Sequence, residues 1–370
     1  MAEALSRLKK CLRSGTEEVK GKMLLRLVHR QQNGQICSEF EILDLDSGDL
    51  CKTPFTLFGI GGICSILAVE SIIYLIVVPL YDSEDTSGVD INDALYVHEG
   101  MFSLDLSKPE IGWKTTPFII ENAEDLPKCV SCCGKIYVFR SSLWSCFGEV
   151  FDPQVNRWNS LMDPPPVHGN FEVAYPVISD PLRGRVLLHL FTRRCKYDRP
   201  SASHSPPLSC IYAYYPNSSS RGNDGGGGNE GGRWECLDDN FNGKWQAPMV
   251  FVDGIIYFYF EDFKKMFKAY DLSSKQWLKV VLPSDSDFAY ASKAEFDDLH
   301  DLGDGVLCLT TSWYKSQKFD PCTTKDHTLV YAFKFKVEPR RSHHQVLLTS
   351  LSSIFSPLQT VSSIRNYLAI

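Results

Sequence analysis

Cys129, Cys132, Cys133 and Cys146 form the best candidate for a metal site in this chain. A Cys-x-x-Cys pair can supply two thiolates to a tetrahedral ion, but a structural zinc site needs a second pair at similar local spacing, and Cys146 alone is not one. Small buried thiols in a crowded strand are the reading these residues favour. The nine histidines fall at no His-x-x-x-His or other regular ligand spacing, and His343-His344 lies in a polar stretch. No nucleophile elbow of the G-x-S-x-G kind occurs. The tract Gly225 to Gly232 has no Gly-Lys-Ser/Thr after it and no strand feeding it, so it is a loop and not a phosphate cradle. A triad assembled from distant residues is left open at this level. The expectation is a chain with no metal and no cofactor.

The elements that would position any site are announced by a phrase that recurs. Val150 to Trp158 reads VFDPQVNRW and Ala269 to Trp277 reads AYDLSSKQW. In both, an aromatic precedes an Asp and a Trp follows six residues after it. Ser103 to Trp113 stretches that gap by two residues, and Ile42 to Leu50 keeps the gap with Leu50 in place of the Trp. A Pro closes each copy: Pro54, Pro117, Pro164 and Pro283. A repeat of about 45 residues predicts an array of small sheets.

Each phrase sits in a larger unit of short strands. Ala247 to Val252, the turn Asp253-Gly254 and Ile255 to Phe260 form one hairpin, since Asp-Gly between apolar runs is a strong hairpin signal. Cys133 stands where Asp253 stands, ahead of Gly134 and the run Lys135 to Phe139. Further units open at Phe171 to Ile178 with a turn at Arg183-Gly184, and at Asp304-Gly305 with a degraded outer strand near Val346 to Leu348. The segment Leu57 to Tyr81 carries a single charge, Glu70, and is long enough to span a bilayer. Its glycines, Pro79 and the β-branched run Ile72 to Val78 instead predict two core strands joined at Glu70-Ser71.

Counting Met23 to Pro54 as the first, the units number about six, and four-stranded units repeated radially make a β-propeller. The predicted fold is therefore all-β, a six-bladed propeller over residues 21–370 with residues 1–20 a tail or short helix. Too little strand-like sequence precedes Met23 to complete the first blade. The C-terminal segment Ser352 to Ile370 is the expected donor that closes the ring. Long insertions, Asp82 to Tyr96, Ser201 to Pro207 and Ser218 to Gly232, fall between strands, as loops should.

The unit resembles the kelch repeat: a strand, a turn ending in Gly, an Ile-Tyr-Val-Phe strand, an aromatic-Asp phrase and a later Trp. The likeness runs through Gly134, Tyr137, Phe151, Asp152, Pro153 and Trp158, and again through Gly254, Tyr257, Tyr270, Asp271 and Trp277. Plant F-box/kelch-repeat and related kelch-like proteins are similar in pattern over nearly the whole chain after residue 20. Arg140-Ser141 and Glu261-Asp262 stand where kelch units carry a Gly-Gly pair, and no F-box is visible. The resemblance implies protein binding, with ubiquitination as the pathway that F-box/kelch proteins serve. The kelch fold also includes a copper oxidase. Copper needs converging imidazoles, and His300 is the only histidine placed near an inner strand.

The formal charge of -7 argues against a nucleic-acid footprint. The thirteen cysteines, without a secretory signal, read as reduced thiols of a cytoplasmic or nuclear protein. The sequon at Asn217 then goes unglycosylated. Asp105, Trp113, Asp152, Trp158, Trp234, Asp271 and Trp277 are assigned to the repeat scaffold. Residues outside the repeat grammar are the candidates for partner binding: Trp144, Arg193, Arg194, Tyr197, Phe263, Lys264, Trp313 and Tyr314, all expected in loops after second strands. Exposed aromatics and Arg are the residue types enriched at binding hot spots. The expected function is a monomeric, non-catalytic module that binds a protein partner, with no membrane or nucleic acid involved. The alternative is an enzyme with a small-molecule site at the mouth of the central channel.

Overall fold

The computed structural model describes residues 22–30, 36–58, 63–78, 100–118, 128–140, 147–164, 171–192, 209–216, 232–243, 245, 248–260, 266–281, 296–315, 327–357 and 363–369. Over these residues the chain is all-β, built from antiparallel meanders that follow one another in sequence. The first meander is β1 (Lys22–Arg30), β2 (Ile36–Asp44) and β3 (Leu50–Phe58). The second is β4 (Ile63–Val69), β5 (Ile72–Val78), β6 (Gly100–Asp105) and β7 (Lys114–Thr116). The third is β8 (Lys128–Cys132), β9 (Lys135–Phe139), β10 (Gly148–Asp152) and β11 (Arg157–Ser160). In the fourth, β12 (Phe171–Val173) and β13 (Ile178–Asp180) both pair with β14 (Arg185–Thr192), which continues to β15 (Ser209–Tyr215) and β16 (Arg233–Asp238).

Two further meanders share one eight-stranded sheet. They are β17 (Met249–Val252), β18 (Ile255–Phe260), β19 (Met266–Asp271) and β20 (Gln276–Val281), then β21 (Phe296–Asp301), β22 (Val306–Lys315), β23 (His327–Arg340) and β24 (Gln345–Pro357). Their outer strands β20 and β24 pair in parallel from Lys279 to Val281. The final strand, β25 (Ser363–Ala369), returns to pair antiparallel with β1, giving five sheets in all.

Local chemistry accounts for the reversals. Cys133-Gly134, Asp253-Gly254 and Asp304-Gly305 take positive φ at both positions, as a two-residue hairpin of this hand requires. Glu70 likewise has φ 53° where β4 turns into β5. The apolar segment around it is thus a hairpin of two core strands. No helix among the described residues is long and apolar enough to cross a membrane.

Burial on both faces explains why these strands read as unbroken apolar runs. In β5, Ile73, Leu75 and Val77 pack with Leu24, Phe40 and Ile42 of the first sheet, while Tyr74 and Ile76 pack with Ile136, Val138 and Phe151 of the third. Further clusters join the third sheet to the fourth, the fourth to β17–β20, and β17–β20 to β21–β24. A last cluster carries Met23, Leu25 and Leu27 against Cys308, Val330 and Ala332, so the end of the chain packs on its beginning. The first strands of the meanders touch in the same cyclic order: β25, β4, β8, β13, β17, β21 and back to β25.

Three boundaries differ from the expectation. The last outer strand is not degraded: β24 runs thirteen residues and absorbs Ser352 to Pro357, leaving Ser363–Ala369 as the closing strand. Pro54 does not end its unit. It lies within β3 where the register with β2 shifts between Glu39 and Glu41, a bulge on an outer strand where a missing N–H is tolerated. Trp313 and Tyr314 are in no loop, because β22 continues through them, paired with Leu329 and Thr328 of β23.

Candidate functional site

The scaffold residues form a repeated set of contacts. Asp105, Asp152 and Asp271 each accept a hydrogen bond from the backbone N–H two residues on, at 2.8, 2.9 and 2.9 Å. Each carboxyl sits below its usual range. For Asp105 the Ser107 hydroxyl is the main cause. For Asp152 and Asp271 burial pushes the other way and is outweighed by turn N–H groups and nearby hydroxyl or cationic side chains. The Trp residues tie each meander to the one before it. Trp158 donates to the Pro117 carbonyl at 2.7 Å, Trp234 to Met162 at 2.9 Å and Trp277 to the Asn242 side chain at 3.0 Å. Trp113 packs on Phe40 of the preceding sheet with ring centroids 5.1 Å apart.

A different set of residues gathers where the first strands begin. Lys128 pairs with Phe139, Ile63 with Val78, Met249 with Phe258 and Phe296 with Ser312. The leading ends of the first strands therefore lie beside the trailing ends of the second strands. Trp144, Arg193, Arg194, Tyr197, Phe263 and Lys264 lie outside the described residues, as does Cys146, but the connections that contain the six candidates leave from this same end.

Tyr175, between β12 and β13, is 66% exposed. Its hydroxyl is nevertheless pushed up to about 12, first by desolvation, then by the charges of Asp298 and Cys129. Asp298 is on β21 and Cys129 on β8, strands of two different sheets to either side of Tyr175. Tyr175 thus lies within electrostatic reach of strands from two other sheets, while most of its ring is open to solvent. Asp298 is itself 46% exposed and lies 3.7 Å from His300, which also meets the Thr310 hydroxyl at 3.2 Å. Cys129 is pushed up to about 12 by burial, against a hydrogen bond with Ser65. An aromatic ring, a carboxylate and an imidazole can together recognise a polar or cationic group.

No family model matches this chain. No curated protein matches it either. Among solved structures it is similar to "Structure of YjhT", at 10% identity over 89% of this chain and 97% of that one, with a TM-score of 0.44. It is also similar to Hsv2p of Kluyveromyces lactis, at 10% identity over 89% and 98%, with a TM-score of 0.36. Both likenesses are distant.

Among the described members of the cysteine group, Cys132 and Cys133 are neighbours and Cys129 stands apart from them. Cys129 packs toward the second sheet and Cys132 toward the fourth, on opposite faces of β8. His300 is legible in the sequence as an inner-strand histidine, whereas Tyr175 and Asp298 carry no local signal, since only the cyclic contact order brings β8, β13 and β21 together. His189 was also missed. It is buried in β14, stacks on Phe191 and Trp245 at 5.7 and 5.2 Å, and meets the Ser209 hydroxyl at 2.7 Å. Desolvation lowers its imidazole to about 4. The Ser–His pair is not poised as a nucleophile and base: Nδ1 has no partner among the described residues, so no carboxylate orients the ring.

Proposed function

We propose that this chain is a six-bladed, kelch-like propeller that holds a partner protein at the end of the ring where the first strands begin. The blade count is supported by the six core clusters, each joining two meanders, with β20–β24 pairing a local link between two blades. The observation that carries the binding reading is Tyr175, a large ring two-thirds exposed in the break between β12 and β13, where the described residues give it no contact like those of the scaffold Trp side chains. Exposed aromatics framed by charge are the common anchors of protein interfaces. Trp144, Arg193, Arg194, Tyr197, Phe263 and Lys264 lie outside the described residues and remain candidates from the sequence alone. The partner is captured by shape and charge, in the cytoplasm or nucleus, as substrate recruitment in a ubiquitin pathway would require.

Proximity labelling with the wild-type chain identifies the partner, and capture is then compared with a Tyr175→Ala/Asp298→Asn variant. Capture is expected to fall about tenfold or more, the effect of a truncation costing about 1.4 kcal/mol. Identical partner lists and yields overturn the assignment of this surface. A second reading, an enzyme using the same mouth, draws on the Asp298–His300 pair beside Tyr175. It gains if small polar ligands raise the melting temperature of the wild type but not of the variant while no protein is captured.

A further inference from the structure

The hairpin turn between β8 and β9 holds two adjacent cysteines whose sulfurs are 3.6 Å apart. Cys132, the last residue of β8, is 3% exposed and donates its S–H to the Arg185 carbonyl at 3.5 Å, across the joint with the fourth sheet. Cys133 opens the turn, is exposed, and has φ 51°. Aspartates occupy the equivalent turn positions before Gly254 and Gly305, so the turn geometry alone does not call for a thiol there. The Cys133 sulfur sits over Gly184 of the neighbouring turn, 3.4 Å from where a Cβ would be, an ordinary van der Waals contact.

We propose that Cys132 and Cys133 are a peroxide-sensitive dithiol, a modification site that closes reversibly to a disulfide within the turn. Exposure sets the order of events. Burial pushes the Cys132 thiol up to about 12 and keeps it protonated, so the oxidant meets Cys133 first. The Cys133 thiolate attacks one oxygen of hydrogen peroxide, the O–O bond breaks, and hydroxide leaves a sulfenic acid on Cys133. The Cys132 sulfur then attacks the Cys133 sulfur as its proton is lost; the S–O bond breaks and water departs. Two thiols lose two electrons in total, and the peroxide becomes two waters.

The product is built to be undone. A disulfide needs its sulfurs about 2.0 Å apart, and closing the gap between neighbouring residues strains the turn, which makes the bond easier for a dithiol reductant to open. Closure also removes the S–H donated to the Arg185 carbonyl and draws Cys133 off Gly184. The mark therefore loosens the joint between the third and fourth sheets at the turn end, away from Tyr175.

Reduced protein is treated with hydrogen peroxide under native conditions, alkylated and mapped by mass spectrometry. The peptide holding Cys132 and Cys133 is expected to lose two hydrogen masses, escape alkylation and recover both thiols with dithiothreitol. In C132S the sulfenic acid on Cys133 has no resolving thiol and is trapped by dimedone. In C133S the buried Cys132 stays reduced at the same dose. Wild-type mapping decides the matter even where a variant folds poorly. The proposal is overturned if Cys133 goes straight to the sulfinic acid, if it links to another cysteine such as Cys129 or to a second chain, or if both thiols stay reduced.

Discussion

At the turn end of the strands the chain reverses within a few residues, and each reversal is held locally. Asp105, Asp152 and Asp271 bind their own turns, and Cys133-Gly134, Asp253-Gly254 and Asp304-Gly305 supply the positive φ. Among the described residues no such device recurs at the leading end. Tyr175 is exposed in the break between β12 and β13, and His189, whose carbonyl accepts the Ala174 N–H, sits on β14 between aromatic rings. Among the described residues, those that hold chain reversals are thus concentrated at one end. The other is free to carry side chains that the fold does not require, which is where binding groups on a rigid scaffold are expected.

The strongest way to break this comparison is to open the ring that both ends share. Removing residues 363–370 strips the antiparallel partner from β1 over Met23 to Val28. It also leaves one side of β1 an open edge, in a strand whose Met23, Leu25 and Leu27 pack on the last meander. Single domains hold only about 5–15 kcal/mol of net stability, and losing a whole central strand exceeds that. The truncated chain is expected to lose its cooperative thermal transition. A retained, sharp melt would mean that β25 decorates the fold and does not close it.

A smaller effect tests the leading end through pH. The His189 imidazole is lowered to about 4 by desolvation, from an ordinary value of 6.5. Between those values the unfolded chain takes up a proton that the folded chain refuses. Stability is therefore full above about pH 6.5 and falls as the pH drops through this window. At pH 5 the loss amounts to about 2 kcal/mol, at 1.36 kcal/mol per pH unit. Urea unfolding at pH 7 and pH 5 should show it in the wild type and not in His189→Phe. Equal pH dependence in both would mean that the ring opens to solvent, and that the leading end is looser than its packing.

How much of this was legible in the sequence follows the same division. The Glu70-Ser71 joint, the Asp-Gly turns and the Asp–Trp phrase are local signals, and the elements they announce are present. Pairing beyond the hairpin was less legible. Nothing local separates Ser352 to Pro357 from Ser363 to Ala369, and tertiary context alone sends one to β24 and the other to β1. Trp313 and Tyr314 follow the strand-like run Val306 to Thr310 and carry a loop-like local signal, but a long partner in β23 carries the ladder on through them. The mouth was least legible of all. Tyr175, Cys129 and Asp298 are far apart in sequence, and each is unremarkable until the first strands meet.

The finest test sets one residue from each end side by side. Asp152 accepts the Gln154 N–H at 2.9 Å and lies 3.2 Å from the Lys135 ammonium. Its carboxyl sits below its usual range, so the stability it contributes is present above about pH 4 and disappears as acid protonates it. Asp152→Ala is expected to cost about 1 kcal/mol at pH 7, as loss of a capping carboxylate does, and progressively less as the pH falls below about 4. Tyr175→Ala removes a larger side chain, yet most of its surface is already open, and its cost should stay within about 0.5 kcal/mol. Chemical unfolding of the two variants in parallel decides it. If Tyr175→Ala proves the costlier, the ring is a packing element that the mouth needs, and its candidacy as a binding group falls.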